Sequence, residues 1–117
     1  MPEKIRLFVK ILTAELEDLE DDLRTWGQYL DEKHRADKIS EYVFLENSAL
    51  LRRELAGIRT MVQAIADNHP ANLPDLESIK EYYTAFIQRE AAQYQFQEAI
   101  VALVKKKIEK VFRYLSA

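Results

Sequence analysis

Helix breakers are almost absent from this chain: 117 residues contain two glycines and three prolines. Glycine-rich phosphate loops, nucleophile elbows and tightly turned sheets all need more glycine than that, so helices are the expected content. Apolar residues make up 48% of the chain, enough to build a core and to argue against wholesale disorder. The reading is one all-α domain spanning residues 1–117.

Cysteine is absent, which removes thiol catalysis, disulfide stapling and thiolate metal sites together. No apolar run approaches the roughly 18 residues that cross a bilayer, and Met1 leads into Pro2-Glu3-Lys4 rather than a basic stretch with a hydrophobic signal core. A cytoplasmic location with no membrane contact is therefore expected. A net charge of -3 and a pI near 5.4 give no global attraction to nucleic acid, which is not expected as a partner.

The strongest interruption is Asp67-Asn68-His69-Pro70-Ala71-Asn72-Leu73-Pro74-Asp75. Two prolines and four Asx residues end one helix, and Asn72 or Asp75 is placed to cap the next. Before the loop, Phe44, Leu51, Leu55, Ile58, Val62 and Ile65 recur at helical steps and predict a helix ending near Ala66. After it, Ile79, Tyr83, Phe86, Tyr94, Val101, Val104, Ile108, Val111 and Leu115 predict one long helix over residues 76–115. Forty residues would span about 60 Å. The stripe weakens at Glu90 and Gln97, where a kink or a polar layer is the expectation.

The N-terminal stripe comprises Ile5, Phe8, Leu12, Leu16, Leu19, Leu23, Trp26 and Leu30. Its end admits two layouts. In one, the helix runs to about His34, the polar stretch from Asp31 to Lys38 is the corner, and three long antiparallel helices form an up-down bundle. In the other, Gly27 caps the helix at Trp26, and a helix from about Gln28 to Ala66 pairs with the last as a long hairpin. That would leave Leu55, Ile58, Val62, Leu76, Ile79 and Tyr83 in need of another surface. The polar corner favours the first layout. Even there, Tyr42, Val43 and Leu45 lie off the main stripe, and residues 99–104 are nearly apolar all round. A protein partner is expected to take up this surplus, with completion by homodimerisation foremost. Its surface would be drawn from Tyr42, Val43, Leu45, Tyr82 and Phe96.

Glu15 to Asp22 holds six carboxylates in eight residues. Helical spacing puts Glu15, Asp18 and Asp22 along one edge of the apolar stripe, a ledge for a hard divalent cation such as Mg²⁺ or Mn²⁺. Over these few residues the run resembles the acidic helices of all-α nucleotide pyrophosphatases of the MazG type. Glu17 to Asp21 is similar in spacing to the E-x-x-x-D of PhoU-like bundles. The first resemblance implies metal-dependent phosphate chemistry, but the second E-x-x-D that it requires is not found; in the alternative function Glu15, Asp18 and Asp22 hold the metal with Glu46 assisting. Acidic helix faces usually serve solubility alone, and the principal reading assigns no catalytic residue, metal or cofactor.

His34 has Asp31 and Asp37 one turn away on either side if the region is helical. Lys105, Lys106, Lys107, Lys110 and Arg113 give residues 101–117 a basic character that the helix macrodipole favours at a C-terminus. Arg52 and Arg53 are placed to meet carboxylates of the first helix, while Glu46 and Asn47 interrupt an apolar stretch and can set register. The function that fits is a non-enzymatic helical interaction module of the adaptor, regulator or chaperone kind, the metal-dependent phosphate enzyme or metal sensor being the alternative.

Overall fold

The computed structural model describes residues 2–70 and 72–117; Met1, where the leader reading begins, and Ala71, inside the central loop, lie outside them. The described residues form four helices and no strand: α1 (Pro2–Arg35), α2 (Glu41–Asp67), α3 (Leu76–Tyr94) and α4 (Glu98–Ser116). They run up, down, up and down in a body 55 × 29 × 19 Å along its principal axes.

The expectation of three helices is corrected here. The long C-terminal stripe folds back on itself at residues 95–97, so the break is complete rather than a kink. Gln95 adopts the left-handed conformation (φ 54°, ψ 47°), and the Phe96 N–H reaches back to the Ala91 carbonyl at 3.1 Å. That closure satisfies the last carbonyls of α3 without a glycine. The energetic reason lies in the stripes. A straight helix of about 60 Å would overhang any neighbour, whereas the folded hairpin sets Ile79, Tyr83, Phe86 and Ile87 of α3 in one cluster with Ile100, Val104, Ile108 and Val111 of α4.

Helix α1 passes Gly27 without stopping and ends at the later of the two expected places. Its last turn carries Lys33, His34 and Arg35, the charge sign that the C-terminal dipole favours. Asp37 takes the left-handed conformation (φ 56°), and the Lys38 N–H closes on the Lys33 carbonyl at 2.9 Å. Ser40 then caps α2, its hydroxyl oxygen accepting from the Val43 N–H at 3.1 Å. Asp75 does the same for α3 through the Ser78 N–H at 2.8 Å, so of the two expected caps it is Asp75 that serves. The bond holds the Asp75 carboxyl below its ordinary value.

One apolar cluster joins all four helices. Ile5, Phe8, Leu12, Leu16 and Leu19 of α1 meet Ile58, Met61 and Ile65 of α2 and the stripes of α3 and α4. Full burial of side chains of this kind contributes roughly 1.5–3 kcal/mol each. Leu55, Val62 and Leu76 are half-buried, and Ile58, Ile79 and Tyr83 are fully buried, so this end of the hairpin needs no further cover. Most of the exposed large apolar side chains lie at the opposite end, while Leu7, Tyr94, Leu103 and Tyr114 are exposed singly on the body. Helices of 34 and 27 residues are packed against helices of 19 and 19, and the excess length projects as a two-helix arm.

Candidate functional site

The acidic ledge is not assembled as a cation site. Glu15 accepts from Lys107 Nζ at 3.0 Å and from Lys110 Nζ at 2.8 Å, which joins α1 to α4 and holds its carboxyl below the usual range. Asp18 and Asp22 stand exposed on α1. Among the described residues no group of three histidine, cysteine or acidic side chains is close enough to hold a metal ion. Glu20, from the same acidic run, bridges α1 to α2: it accepts from Arg59 Nε at 2.5 Å and Arg24 at 2.9 Å, and both lower its pKa. The cross-helix cation is thus Arg59, not Arg52 or Arg53.

Several of the other charged candidates are engaged in structure. Lys107 and Lys110 are tied to Glu15, and Arg113 lies 3.5 Å from Glu109 on its own helix. His34 pairs with neither Asp31 nor Asp37. Its Nε2 lies 2.6 Å from Glu41 Oε2, and its ring stacks on Phe44 with centroids 4.0 Å apart, which clasps the α1–α2 corner.

Of the five expected partner residues, three are open and two are packed. Tyr42, Val43 and Leu45 are 75%, 40% and 52% exposed near the start of α2. Tyr82 stacks with Phe86 and meets Tyr83 edge-on, within the four-helix half. Phe96 lies at the α3–α4 corner against Gly57, where an added Cβ would stand 3.4 Å from its ring. Gln97, beside it, has a buried Oε1 with no hydrogen-bond partner among the described residues.

The arm accounts for the exposure. Gly27 faces Leu51, His34 faces Phe44 and Glu20 faces Arg59, so opposite residues on α1 and α2 have numbers summing to 78 or 79. Glu15 meets Lys107 and Lys110, which places the antiparallel start of α4 near residue 25 of α1. Phe8 stacks on Tyr83 at 5.7 Å, which puts the parallel end of α3 near residue 19. Past these points the hairpin has only its own seam, formed by Leu30 and Leu51, both buried, and the His34–Phe44 stack.

The face that α3 and α4 cover in the body continues uncovered along the arm. On α1, the sequence Glu15, Asp22, Trp26, Tyr29 and Lys33 follows three-, four- and seven-residue steps along the stripe that meets α4. On α2, the steps from Met61 and Gly57 lead to Glu54, Leu50, Asn47 and Val43. Trp26 is 48% exposed, Tyr29 45% and Leu50 40%, and the Trp26 and Tyr29 rings stack at 5.2 Å. Trp26 belongs to the N-terminal stripe expected to be core, and its place beyond α4 is what leaves it open. Tyr42 and Leu45 project from other sides of α2. An apolar face carrying two aromatic rings, bounded by charges and lacking its covering helices, is suited to binding protein.

Among the described residues no helix is long and apolar enough to cross a membrane. No protein-family model matches the chain, nor does any curated protein or solved structure.

Proposed function

We propose that this chain is a non-enzymatic helical protein-protein interaction module of the adaptor, regulator or chaperone kind, working in the cytoplasm. One observation supports this reading above the others: the outer half of the α1–α2 hairpin repeats the apolar stripes of the body, yet the two helices that cover those stripes in the body stop short of it. Trp26, Tyr29, Val43 and Leu50 form the working face, with Tyr42 and Leu45 on its flanks. Aromatic side chains of this kind carry much of the affinity in protein interfaces.

The test is site-specific photo-crosslinking in the native host, with the reactive side chain at Leu50 and, as a control, at exposed Arg89 on α3. The module reading predicts discrete protein adducts from position 50 that are absent from position 89, with their identity read by mass spectrometry. Equal or absent labelling at the two positions contradicts it.

A further inference from the structure

We infer that the corner at residues 95–97 is a hinge, and that α4 is a strap able to leave the body, straighten into line with α3 and close over the open face of the arm. Its regulatory consequence rests on the interaction reading above, because closure withdraws the working face from a partner; the hinge itself stands on the geometry of the corner. Three features of that corner disfavour the folded-back form. Gln95 holds a left-handed backbone, a conformation that residues other than glycine adopt at a cost. Gln97 begins α4 without a side-chain capping bond, whereas Ser40 and Asp75 supply one to α2 and α3. The buried Gln97 Oε1 has no hydrogen-bond partner among the described residues. Residues 93–98, by contrast, include no glycine, proline or β-branched side chain, so the sequence there is compatible with a continuous helix.

The stripes are in phase for this movement. At 100° per residue, the mean direction of Ile79, Tyr83, Phe86 and Ile87 lies about 50° from that of Ile100, Val104, Ile108 and Val111, so one straight helix turns both stripes toward the same hairpin. The register fits as well. Helix α3 runs parallel to α1, and Phe8 stacked on Tyr83 sets an offset of 75 residues between them. Phe96 lies against Gly57, which stands opposite residue 21 or 22 of α1, and gives the same offset to within one residue. Extended at that offset, residues 98–116 run level with residues 23–41, the full length of the arm. Val104 comes level with Tyr29 and Leu50, and Val111 with Val43.

Charge favours the same face. Helix α4 carries five basic and two acidic side chains, while residues 28–46 at the end of the arm carry five acidic and three basic. Lys107, released from Glu15, comes level with Glu32 and Glu46, neither of which has an ion-pair partner among the described residues. The body holds α4 folded back through the core contacts of Ile100, Val104, Ile108 and Val111 and through Glu15 with Lys107 and Lys110. Lys80 of α3 adds to this hold, 3.8 Å from Glu109 and 4.5 Å from the centre of the Phe112 ring. Straightening exchanges a full core for the shorter apolar row of the arm. The straight form is therefore the minor state of a two-state equilibrium, and it gains population from anything that weakens the α1–α4 pairing.

The chain has no cysteine, so Lys38→Cys with Ser116→Cys places two spin labels at will, and double electron-electron resonance reads their separation. In the folded-back form residue 116 lies level with about residue 7 of α1, about 45 Å from the tip, whereas in the straight form it reaches the tip, within about 20 Å of residue 38. A dominant long separation with a minor short one is expected. Glu15→Lys sets three lysines together where α1 meets α4 and should raise the short fraction roughly tenfold. Gln95→Gly relieves the left-handed residue and weakens the straight helix, and should lower that fraction roughly tenfold. Circular dichroism checks helical content, and a short bismaleimide linker gives a second reading that keeps Glu15 intact: it should join the two cysteines within one monomer, more slowly with Gln95→Gly. A single separation near 45 Å with no intramolecular crosslink overturns the hinge, and adducts from position 50 to another protein would still leave the interaction reading standing. A short separation indifferent to Gln95→Gly overturns the corner as its pivot.

Discussion

Tyr83 is the largest fully buried side chain of the core, and its hydroxyl has no hydrogen-bond partner among the described residues. Its ring stacks on Phe8 at 5.7 Å and meets Tyr82 edge-on at 5.2 Å, contacts that phenylalanine retains. Burial pushes the phenol pKa upward, so the group stays neutral and its whole penalty is that of an unsatisfied hydroxyl. Such a group costs about 1–3 kcal/mol. Tyr83→Phe removes it and leaves a void of one oxygen, about 10–15 Å³, worth roughly 0.3 kcal/mol at about 24 cal/mol per Å³. The net expectation is stabilisation by about 1–2 kcal/mol. Over 117 residues the unfolding entropy is about 0.25 kcal/mol/K, so the melting temperature should rise by about 4–8 °C. Thermal unfolding followed at 222 nm, with urea titration as a second route, measures it. A variant that melts lower than the parent refutes the reasoning, because it would mean that the hydroxyl makes a bond worth keeping.

Four further perturbations probe other links. Glu15 has a folded pKa below its ordinary value of 4.5, chiefly through Lys110 and then Lys107. Its contribution is therefore present above pH 4.5 and lost as pH falls through the folded value. Glu15→Gln should cost up to about 1 kcal/mol at pH 7, and the difference from the parent should vanish in strong acid in urea titrations at the two pH values. Ser40→Ala removes the cap at the tip of the arm and should cost about 1 kcal/mol, visible as faster amide exchange in the first turn of α2. Gly57→Ala gains up to about 1 kcal/mol of helix propensity, with its new methyl at ordinary contact, 3.4 Å, from the Phe96 ring. Gly27→Ala should gain less, since its methyl would meet Leu51 Cδ2 at 2.9 Å and push it aside.

How far the sequence foretells the fold depends on which signal each boundary uses. The loop between α2 and α3 has two prolines and a run of Asx residues, and it falls where those residues place it. The stripes of α1 and α2 are unbroken, and those helices are legible to within a turn. The corner at Gln95 has neither glycine nor proline; its left-handed residue is a glutamine, and only the fall in apolar periodicity marks it. Missing that corner hides the open face of the arm, because a straight C-terminal helix would run the full length of the hairpin and cover Trp26 and Leu50. Surplus apolar surface was legible from Tyr42, Val43 and Leu45, which are exposed. Tyr82 and Phe96 carry the same residue types but pack against the core, since burial depends on partners that composition does not name. The acidic run showed its charge but not its purpose: Glu15 and Glu20 found cations on α4 and α2.

Hydrogen-deuterium exchange resolved along α1 and α2 tests the central claim most directly. In dilute solution, buried amides around Leu30 and Leu51 in the arm should open at a lower free energy than those around Leu12 and Ile58 in the body, because the arm has one helix seam and the body has a full core. Equal protection of arm and body in that dilute state would contradict it, since it would mean that the outer half of the hairpin is already covered within a single chain.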